Sequence, residues 1–224
     1  MLMIGHRGAP NIKTENTLGS FRTALRQRAD MIEFDVRRTK DGKIVVMHDD
    51  DIRRTTDGKG LVRELTLKQI RKARTGDGER VPTLGEALDL LKGRAAGKIE
   101  IKSRGIEEQV MREVAKRRMV REVIIINDMP VTLRRVKGLH PQVKTELGGF
   151  RRKKWRGLMV RRALNARADI LSPHYELTTK ALVDECHENG LQVHVWTVND
   201  KKTARVLRQL GVDGITTDRL DRIL

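Results

Sequence analysis

Cysteine is nearly absent from this sequence of 224 residues, in which Cys186 is the only one. An intrachain disulfide is therefore excluded, and a reducing compartment is the simpler expectation. No targeting segment is visible, and no apolar run approaches the length of a membrane span. We therefore expect a cytoplasmic protein, in which Cys186 is a buried small apolar residue of a helix rather than a nucleophile.

Aromatic residues are also scarce, at 3% of the chain, and apolar residues together make up 38%. Core volume must then come mainly from Ile, Leu, Val, Met and Ala. The length still suffices for one buried core, and α/β barrels of this size are commonly undivided. Because no linker, low-complexity tract or short repeat interrupts the sequence, we expect a single domain over residues 1–224.

Acidic residues are in deficit, because 30 Asp and Glu face 47 Lys and Arg, for a formal net charge of +17. Such a charge suits a nucleic acid, an anionic membrane surface or a phosphate-bearing substrate. It is equally typical of a solvated basic surface with no partner. We expect no nucleic-acid partner, because aromatic side chains for base stacking are almost absent.

The basic residues are densest between positions 149 and 167, where apolar residues are interleaved with them. This pattern resembles an amphipathic segment that touches anionic lipid. The favoured interpretation is a barrel helix that buries Leu158 and Leu164 and turns its charged face to solvent. We therefore expect at most a weak contact with an anionic membrane surface.

Short apolar segments alternate with longer segments of helical periodicity along the whole chain. This alternation is typical of parallel βα units. The strand-like segments are 2–5, 31–36, 44–47, 98–102, 123–126, 143–147, 169–171, 192–198 and 214–216.

One of these nine segments has no room for a helix before it. The Asp41-Gly42 pair separates it from the preceding strand and is a strong signal for a tight turn. We therefore predict a β-hairpin extension in which residue 48 falls opposite residue 35. Without that arm eight parallel strands remain, so the predicted fold is an α/β (β/α)8 TIM barrel, whose functional residues lie at the C-terminal ends of the strands.

Three carboxylates occupy strand positions that face the same way. Glu33 and Asp35 are spaced by two on one predicted strand, and Glu100 lies on the following parallel strand. Because side chains alternate along a strand, the apolar neighbours face the helices and these carboxylates point into the barrel. Converging carboxylates repel one another unless a cation joins them, and a site of oxygen ligands favours Mg²⁺ or Ca²⁺ over Zn²⁺.

Basic and titratable side chains are predicted on the same rim. His6 and Arg7 follow the first strand, Lys102 ends a later one, and the hairpin returns His48 to the neighbourhood. Imidazoles transfer protons near neutral pH, and guanidinium groups bind phosphate. His174 follows another predicted strand and is a further candidate for substrate contact.

Several short segments have an order and spacing that match a known signature. They are Gly5-His6-Arg7-Gly8, Glu15-Asn16-Thr17, Glu33-Phe34-Asp35-Val36, Asp41-Gly42, Val46-Met47-His48-Asp49, residues 54–60, residues 81–84, Glu100-Ile101-Lys102, Trp196-Thr197-Val198-Asn199 and residues 211–218. Together they resemble the signature of the glycerophosphodiester phosphodiesterase family. The matches run from residue 5 to residue 218, whereas residues 105–190 match poorly.

The resemblance implies a role for each matched position. It implies His6 and His48 as the general acid and base, Glu33, Asp35 and Glu100 as ligands of a divalent cation, and Arg7, Lys102, Asn16 and Trp196 as substrate-binding residues. Trp196 would form an apolar wall for the glycerol or the leaving group, although a barrel-core aromatic explains it equally well. The long insertion of some family members is short here, which implies only a small cap at about residues 50–80.

The leading functional hypothesis is metal-dependent hydrolysis of a glycerophosphodiester to glycerol phosphate and an alcohol. One alternative keeps the site and changes the substrate to a lysophospholipid, as a lysophospholipase D. A second alternative, of another class, is a non-catalytic basic protein that binds nucleic acid. Salt-dependent affinity for generic DNA, without metal-dependent turnover, would favour the second alternative.

Overall fold

Nine β-strands form one sheet in the computed structural model of the protein, which describes residues 1–155 and 157–223. Eight of them are parallel, and the first pairs with both the second and the last, so that the sheet closes into a barrel. The strands are β1 (Leu2–His6), β2 (Met31–Arg38), β3 (Ile44–Val46), β4 (Ala96–Ile101), β5 (Val123–Asn127), β6 (Lys144–Phe150), β7 (Ile170–Pro173), β8 (Gln192–Val195) and β9 (Gly214–Thr217). The predicted (β/α)8 barrel is confirmed.

Helices follow the parallel strands and cover the outside of the barrel, except α2, which belongs to the cap described below. They are α1 (Leu18–Arg26), α2 (Leu67–Ile70), α3 (Leu84–Leu91), α4 (Glu107–Lys116), α5 (Pro130–Leu139), α6 (Met159–Asn165), α7 (Lys180–Glu188), α8 (Lys201–Leu210) and α9 (Leu220–Ile223). Local sequence explains where several begin, since a Thr or Asp side chain accepts the backbone N–H three residues on at the start of α1, α2, α3, α7 and α8. None of the described helices has both the length and the apolar character needed to span a bilayer.

The predicted hairpin is present, with a different register. Strand β3 runs antiparallel to the end of β2, and Val46 pairs with Val36. The Met47 amide then donates to the Asp35 carbonyl, so Met47, and not His48, lies opposite Asp35. The predicted register was wrong by one residue. The backbone N–H of Thr39 donates to the Lys43 carbonyl, so the turn is not centred on the Asp41-Gly42 pair.

The interior of the barrel changes character along its axis. Ile4, Met31, Ile124 and Ile170 form a small buried apolar cluster near the N-terminal ends of the strands. The larger apolar core lies between the barrel and the helices, where β2 contributes Ile32, Phe34 and Val36. Because side chains alternate on β2, burying these three in that core turns the strand's two carboxylates into the barrel.

The predicted small cap is built from two short 3-10 helices, Ile52–Arg54 and Val62–Glu64, together with α2. Its apolar residues pack with those of the β3 arm in a separate cluster of Val45, Met47, Ile52, Val62, Ile70, Ala73 and Val81. This segment is thereby anchored to the hairpin, on one side of the barrel rim.

The basic segment folds partly as expected. Helix α6 buries Met159, Val160 and Ala163 against the barrel, but the prediction that Leu164 is buried was wrong, since 43% of its surface is exposed. Arg156 lies outside the described residues. Cys186 is buried in α7, as predicted, and burial raises the pKa of its thiol to about 12, which leaves it a poor nucleophile.

Candidate active site

A cavity of about 260 Å³ opens at the C-terminal ends of the strands. Seven of the ten predicted site residues line it, namely His6, Arg7, Glu33, His48, Glu100, Lys102 and Trp196. Lys98, Ile126, Asn127, Asp128, Gly148, Gly149, Arg151 and Thr216 complete the lining. Asp35 and Asn16 are buried beside this lining, and the partly exposed His174 does not line the cavity.

The three carboxylates converge as their strand positions predict. Glu33, Asp35 and Glu100 each offer an oxygen, and these oxygens all lie within 4.8 Å of one another. The register of the sheet causes this, because Asp35 pairs with Glu100 across β2 and β4, and Glu33 pairs with His6 across β1 and β2. Glu33 and Asp35 are buried, whereas Glu100 is partly exposed to the cavity.

Asp35 is surrounded by donors. Its Oδ2 atom accepts a hydrogen bond of 2.9 Å from the side-chain amide of Asn16 and lies 3.3 Å from the Nε atom of Arg7. Its Oδ1 atom lies 3.4 Å from the Nζ atom of Lys102, which sits 2.7 Å from Glu100 Oε1. That Oδ1 atom is buried and has no hydrogen-bond partner among the described residues.

The backbone around this carboxylate is held in an uncommon conformation. Arg7 and Asn16 both have positive φ, at 53° and 58°, a region that side chains other than glycine rarely adopt. The backbone N–H of Arg7 donates to Glu33 Oε2 at 3.0 Å, and the backbone N–H of Asn16 donates to the Arg7 carbonyl at 3.0 Å. Such backbone persists where surrounding contacts hold it, and it is concentrated at functional sites.

The carboxylate cluster fits a divalent cation. Burial, followed by the charge of Asp35, raises the pKa of Glu33 to about 7. Burial alone would also raise the pKa of Asp35, but the charges of Lys102 and Arg7 outweigh it and hold that pKa below its usual value. Asp35 therefore stays ionised with an unbonded oxygen. Added positive charge, such as that of a cation, would favour the ionised form of Glu33. Oxygen donors of this kind suit Mg²⁺ or Ca²⁺.

His6 is oriented by a carboxylate from the other end of the chain. Its Nδ1 atom lies 2.7 Å from Asp218 Oδ1, and Asp218 Oδ2 accepts a bond of 2.8 Å from the Asn199 side chain. Burial alone would lower the pKa of His6, but the bond to Asp218 and the charge of Glu33 outweigh it and raise that pKa above its usual value. The Nε2 atom lies 3.9 Å from Glu33, beside the carboxylate cluster.

His48 is oriented by its chain neighbour. Its Nδ1 atom lies 2.6 Å from Asp49 Oδ1, and the Arg54 guanidinium donates to Asp49. Arg54 also donates to Glu15 at 2.6 Å and 2.9 Å, and Glu15 accepts a further bond of 2.9 Å from Arg7. A continuous chain of charged hydrogen bonds thus connects His48 to Arg7.

The opposite side of the cavity is formed by the ends of β6, β7 and β8. Trp196 follows β8, and its indole N–H donates to the Ser172 carbonyl at 3.0 Å. The His174 ring meets the Trp196 ring edge to face, with centroids 5.5 Å apart. The Arg151 guanidinium lies 4.5 Å from the centroid of the Trp196 ring. Trp196 is therefore a cavity wall, and His174 packs against it without lining the cavity.

A buried charge cluster lies under the cavity. Lys98 Nζ lies 2.5 Å from Glu146 Oε1, and Glu146 Oε2 lies 2.8 Å from His194 Nδ1. All three side chains are almost completely buried inside the barrel. Burial alone would raise the pKa of Glu146, but the charges of Lys98 and His194 outweigh it and lower that pKa to about 2.

Several residues of this site were not singled out from the sequence. Asp49, Asp218, Glu15 and Asn199 lie within the matched segments but received no role. The sequence could have indicated Asp49 as a partner of His48, because this carboxylate directly follows the histidine. The contact of Asp218 with His6 could not be predicted in that way, because the two residues meet only when β9 pairs with β1.

Comparison with known proteins agrees with this geometry. The fold and site together define the general class, a (β/α)8 barrel with a carboxylate cluster and two carboxylate-bound histidines in one cavity. The model of the glycerophosphoryl diester phosphodiesterase family matches residues 6–222. The chain therefore belongs to that family, which confirms the resemblance found in the sequence.

Individual relatives span nearly the whole chain. A glycerophosphodiester phosphodiesterase from Caldanaerobacter subterraneus subsp. tengcongensis is 37% identical and covers 97% of this chain and 93% of its own length. A glycerophosphodiester phosphodiesterase from Bacillus subtilis is 32% identical, and the match covers 99% of this chain and 84% of the relative. The chain is also similar to a solved phosphodiesterase from Oleispira antarctica in complex with the product sn-glycerol-3-phosphate. The TM-score is 0.89 at 25% identity, and the match covers 100% of this chain and 95% of the other.

Proposed function

We propose that this protein hydrolyses glycerophosphodiesters to glycerol phosphate and an alcohol, with a divalent cation and two histidines. The observation that carries the proposal is the meeting of Glu33, Asp35 and Glu100 in one cavity with His6 and His48. Membership of the family and the names of the relatives support the same substrate class. The product bound in the Oleispira antarctica phosphodiesterase supports a small phosphodiester.

We infer that Glu33, Asp35 and Glu100 hold the cation and that it is Mg²⁺ or Ca²⁺. When bound, the ion supplies positive charge that stabilises a phosphate oxygen in the transition state. Arg7 and Lys102 add fixed positive charge at the cavity surface. A phosphodiester monoanion is thereby attracted to the cavity and made easier to attack.

The histidines are proposed to move protons through their Nε2 atoms. In each ring Nδ1 faces a carboxylate, Asp218 for His6 and Asp49 for His48, which favours the tautomer with the proton on Nδ1. One Nε2 then accepts the proton of the attacking hydroxyl while the protonated partner donates to the departing alkoxide. Each transfer is typically worth roughly 10²–10⁴-fold in rate.

The remaining predicted residues take supporting positions in this proposal. Asn16 is 3% exposed and bonds to Asp35, so we infer that it positions that ligand rather than contacting substrate. Trp196 forms a wall of the cavity that the organic groups of the substrate meet, and His174 packs perpendicular to the Trp196 ring. The cap at residues 50–80 contributes Arg54, which supports His48 through Asp49.

We also propose that residues 1–224 act as one domain in the cytoplasm. The strands of one barrel run from β1 to β9 across almost the whole sequence, which supports a single domain. The single buried cysteine supports a reducing compartment.

The test is turnover by metal-stripped protein on a panel of soluble glycerophosphodiesters and lysophospholipids. We expect no hydrolysis in excess chelator and restored hydrolysis of the soluble diesters with Mg²⁺ or Ca²⁺. His6→Ala and His48→Ala should each lower kcat by at least about two orders of magnitude while metal binding persists. Full turnover in chelator, with no metal retained by elemental analysis, would refute the metal site. Turnover of lysophospholipids alone would replace the proposal by a lysophospholipase D.

A further inference from the structure

Arg151 differs from the other cations of the cavity. Four lysines and arginines line it, and three of them are paired with carboxylates. Arg7 lies 2.9 Å from Glu15, Lys98 lies 2.5 Å from Glu146, and Lys102 lies 2.7 Å from Glu100. Arg151 forms no ion pair with any residue in 1–155 or 157–223. Its charge is therefore the least compensated among the cations that a bound substrate would meet.

The position of Arg151 is defined by the aromatic wall. Its guanidinium lies over the Trp196 ring, 4.5 Å from the centroid, a geometry in which cation and ring attract each other. Trp196 is in turn fixed by its N–H bond to the Ser172 carbonyl and by the edge of His174. The exposed Arg151 side chain thus has a rigid platform at the cavity wall.

Arg151 and the reacting groups lie on opposite sides of the barrel mouth. The carboxylates and His6 belong to β1, β2 and β4, whereas Arg151 follows β6 and Trp196 follows β8. A phosphodiester seated at the carboxylates therefore extends one of its two organic groups toward Trp196 and Arg151. That group meets an aromatic face already covered by a cation.

We propose that Arg151 is a specificity-determining residue that selects phosphodiesters by the charge of the leaving alcohol, favouring anionic over cationic head groups. This inference rests on the proposed function, because it names the substrate class of the same cavity. A quaternary ammonium group would normally bind the face of an aromatic ring, but here Arg151 occupies that position and repels it. A phosphorylated polyol accepts hydrogen bonds from the guanidinium and neutralises its charge. A substrate with a neutral polyol as its leaving group should have a kcat/KM between those of the cationic and anionic substrates.

The experiment compares kcat/KM for three soluble substrates with Mg²⁺ present. They are glycerophosphocholine, glycerophosphoinositol and a glycerophosphoinositol phosphate, whose leaving groups are cationic, neutral and anionic. For Arg151→Gln we expect the ratio of the anionic to the cationic substrate to fall by about tenfold or more, because one unit charge near the head group is lost. The value for glycerophosphoinositol should stay within about threefold.

Two further variants isolate the charge. Arg151→Lys keeps the cation without the planar stack, so it should keep the wild-type order of the three substrates. Arg152→Gln removes the neighbouring exposed arginine, which does not line the cavity, and should leave all three values unchanged.

Three results would overturn the inference. A similar loss on all three substrates in Arg151→Gln would mean that Arg151 contacts the phosphate or the glycerol and not the leaving group. Unchanged kcat/KM values for all three substrates in that variant would remove Arg151 from substrate recognition. If wild-type protein hydrolysed none of the three with Mg²⁺ or Ca²⁺, the proposed function itself would fail and this inference with it.

Discussion

The Nδ1 atom of His6 lies 2.7 Å from the Oδ1 atom of Asp218, although 212 positions separate the two residues in the chain. Closure of the barrel brings them together, because β9 pairs with β1 and Asp218 follows β9 directly. The carboxylate orients the imidazole and stabilises its protonated form. The two ends of the sequence therefore build one proposed proton-transfer unit.

Asp218→Asn should lower kcat by roughly 10²–10⁴-fold, because the amide favours the wrong tautomer of His6. Since Asp218 helps to raise the pKa of His6, the limb of the pH–rate profile that reports His6 should move to lower pH in this variant. The shift has the same sign whether His6 is the base or the acid. The control is Asp221→Asn, which removes an exposed surface carboxylate. An unshifted profile would separate Asp218 from the titration of His6.

Arg54→Gln should lower kcat more than Arg53→Gln does. Arg54 bonds to both Asp49 and Glu15, so its loss frees the carboxylate that orients His48. Arg53 is exposed and pairs only with Asp51 among the described residues, which makes it a matched control. We expect a loss of about tenfold or more for Arg54→Gln, chiefly in kcat, because a poorly oriented proton donor weakens the transition state. Equal kinetics in the two variants would exclude this role.

Cation binding should stabilise the protein more at about pH 8 than at about pH 5.5. In metal-free protein the pKa of Glu33 is raised from its ordinary value of 4.5 to about 7. The folded state therefore binds that proton more tightly than the unfolded chain, and stability from this group is lost as pH rises through about 7. Added Mg²⁺ replaces the proton and should restore the Tm.

The measurement is the rise in Tm on adding Mg²⁺ at the two pH values. Glu33→Gln is the control, because the amide cannot titrate and the pH dependence of the Mg²⁺ effect should largely disappear. An equal rise at both pH values in the wild-type protein would contradict the assignment of Glu33 as a titrating ligand.

Glu146→Gln should destabilise the fold by about 3–5 kcal/mol, because it leaves Lys98 as a buried charge without its partner. Lys98→Met with Glu146→Leu removes both charges and should recover most of that loss. Since the pKa of Glu146 is lowered to about 2, its contribution to stability is complete above the ordinary value of 4.5 and is lost as pH falls through about 2.

Denaturant unfolding at neutral pH measures these differences, and Glu122→Gln on the exposed surface is the control. If Glu146→Gln were as stable as the control, Lys98 would not need Glu146 as its buried counter-charge.

Replacing Arg152, Lys153 and Lys154 together with Gln should abolish any binding to anionic vesicles at low salt. These side chains are exposed, and each basic residue near a charged surface contributes about 1 kcal/mol, which salt screens. Binding of the wild-type protein should therefore vanish near physiological ionic strength, while hydrolysis of soluble diesters continues in both proteins. Vesicle sedimentation checks the first expectation, and persistent binding at that ionic strength would contradict it.

The sequence by itself determined the order of strands and helices and the direction of the carboxylate side chains on β2. These are local properties: alternation on β2 places Glu33 and Asp35 opposite Ile32, Phe34 and Val36. Hydrophobic period, turn residues and helix caps act over a few positions, so they can be recognised without knowing what each segment contacts.

Tertiary structure alone decided the partners of the site residues. The hairpin register differs by one residue from the predicted one because the turn geometry, and not the Asp41-Gly42 pair alone, sets the pairing. Asn16 turns to Asp35 instead of the cavity, and Arg151 reaches Trp196 from a separate loop. The hairpin register depends on the hydrogen bonds of one turn, whereas the Asn16 and Arg151 contacts require different strands of the barrel to come together, which no local pattern encodes.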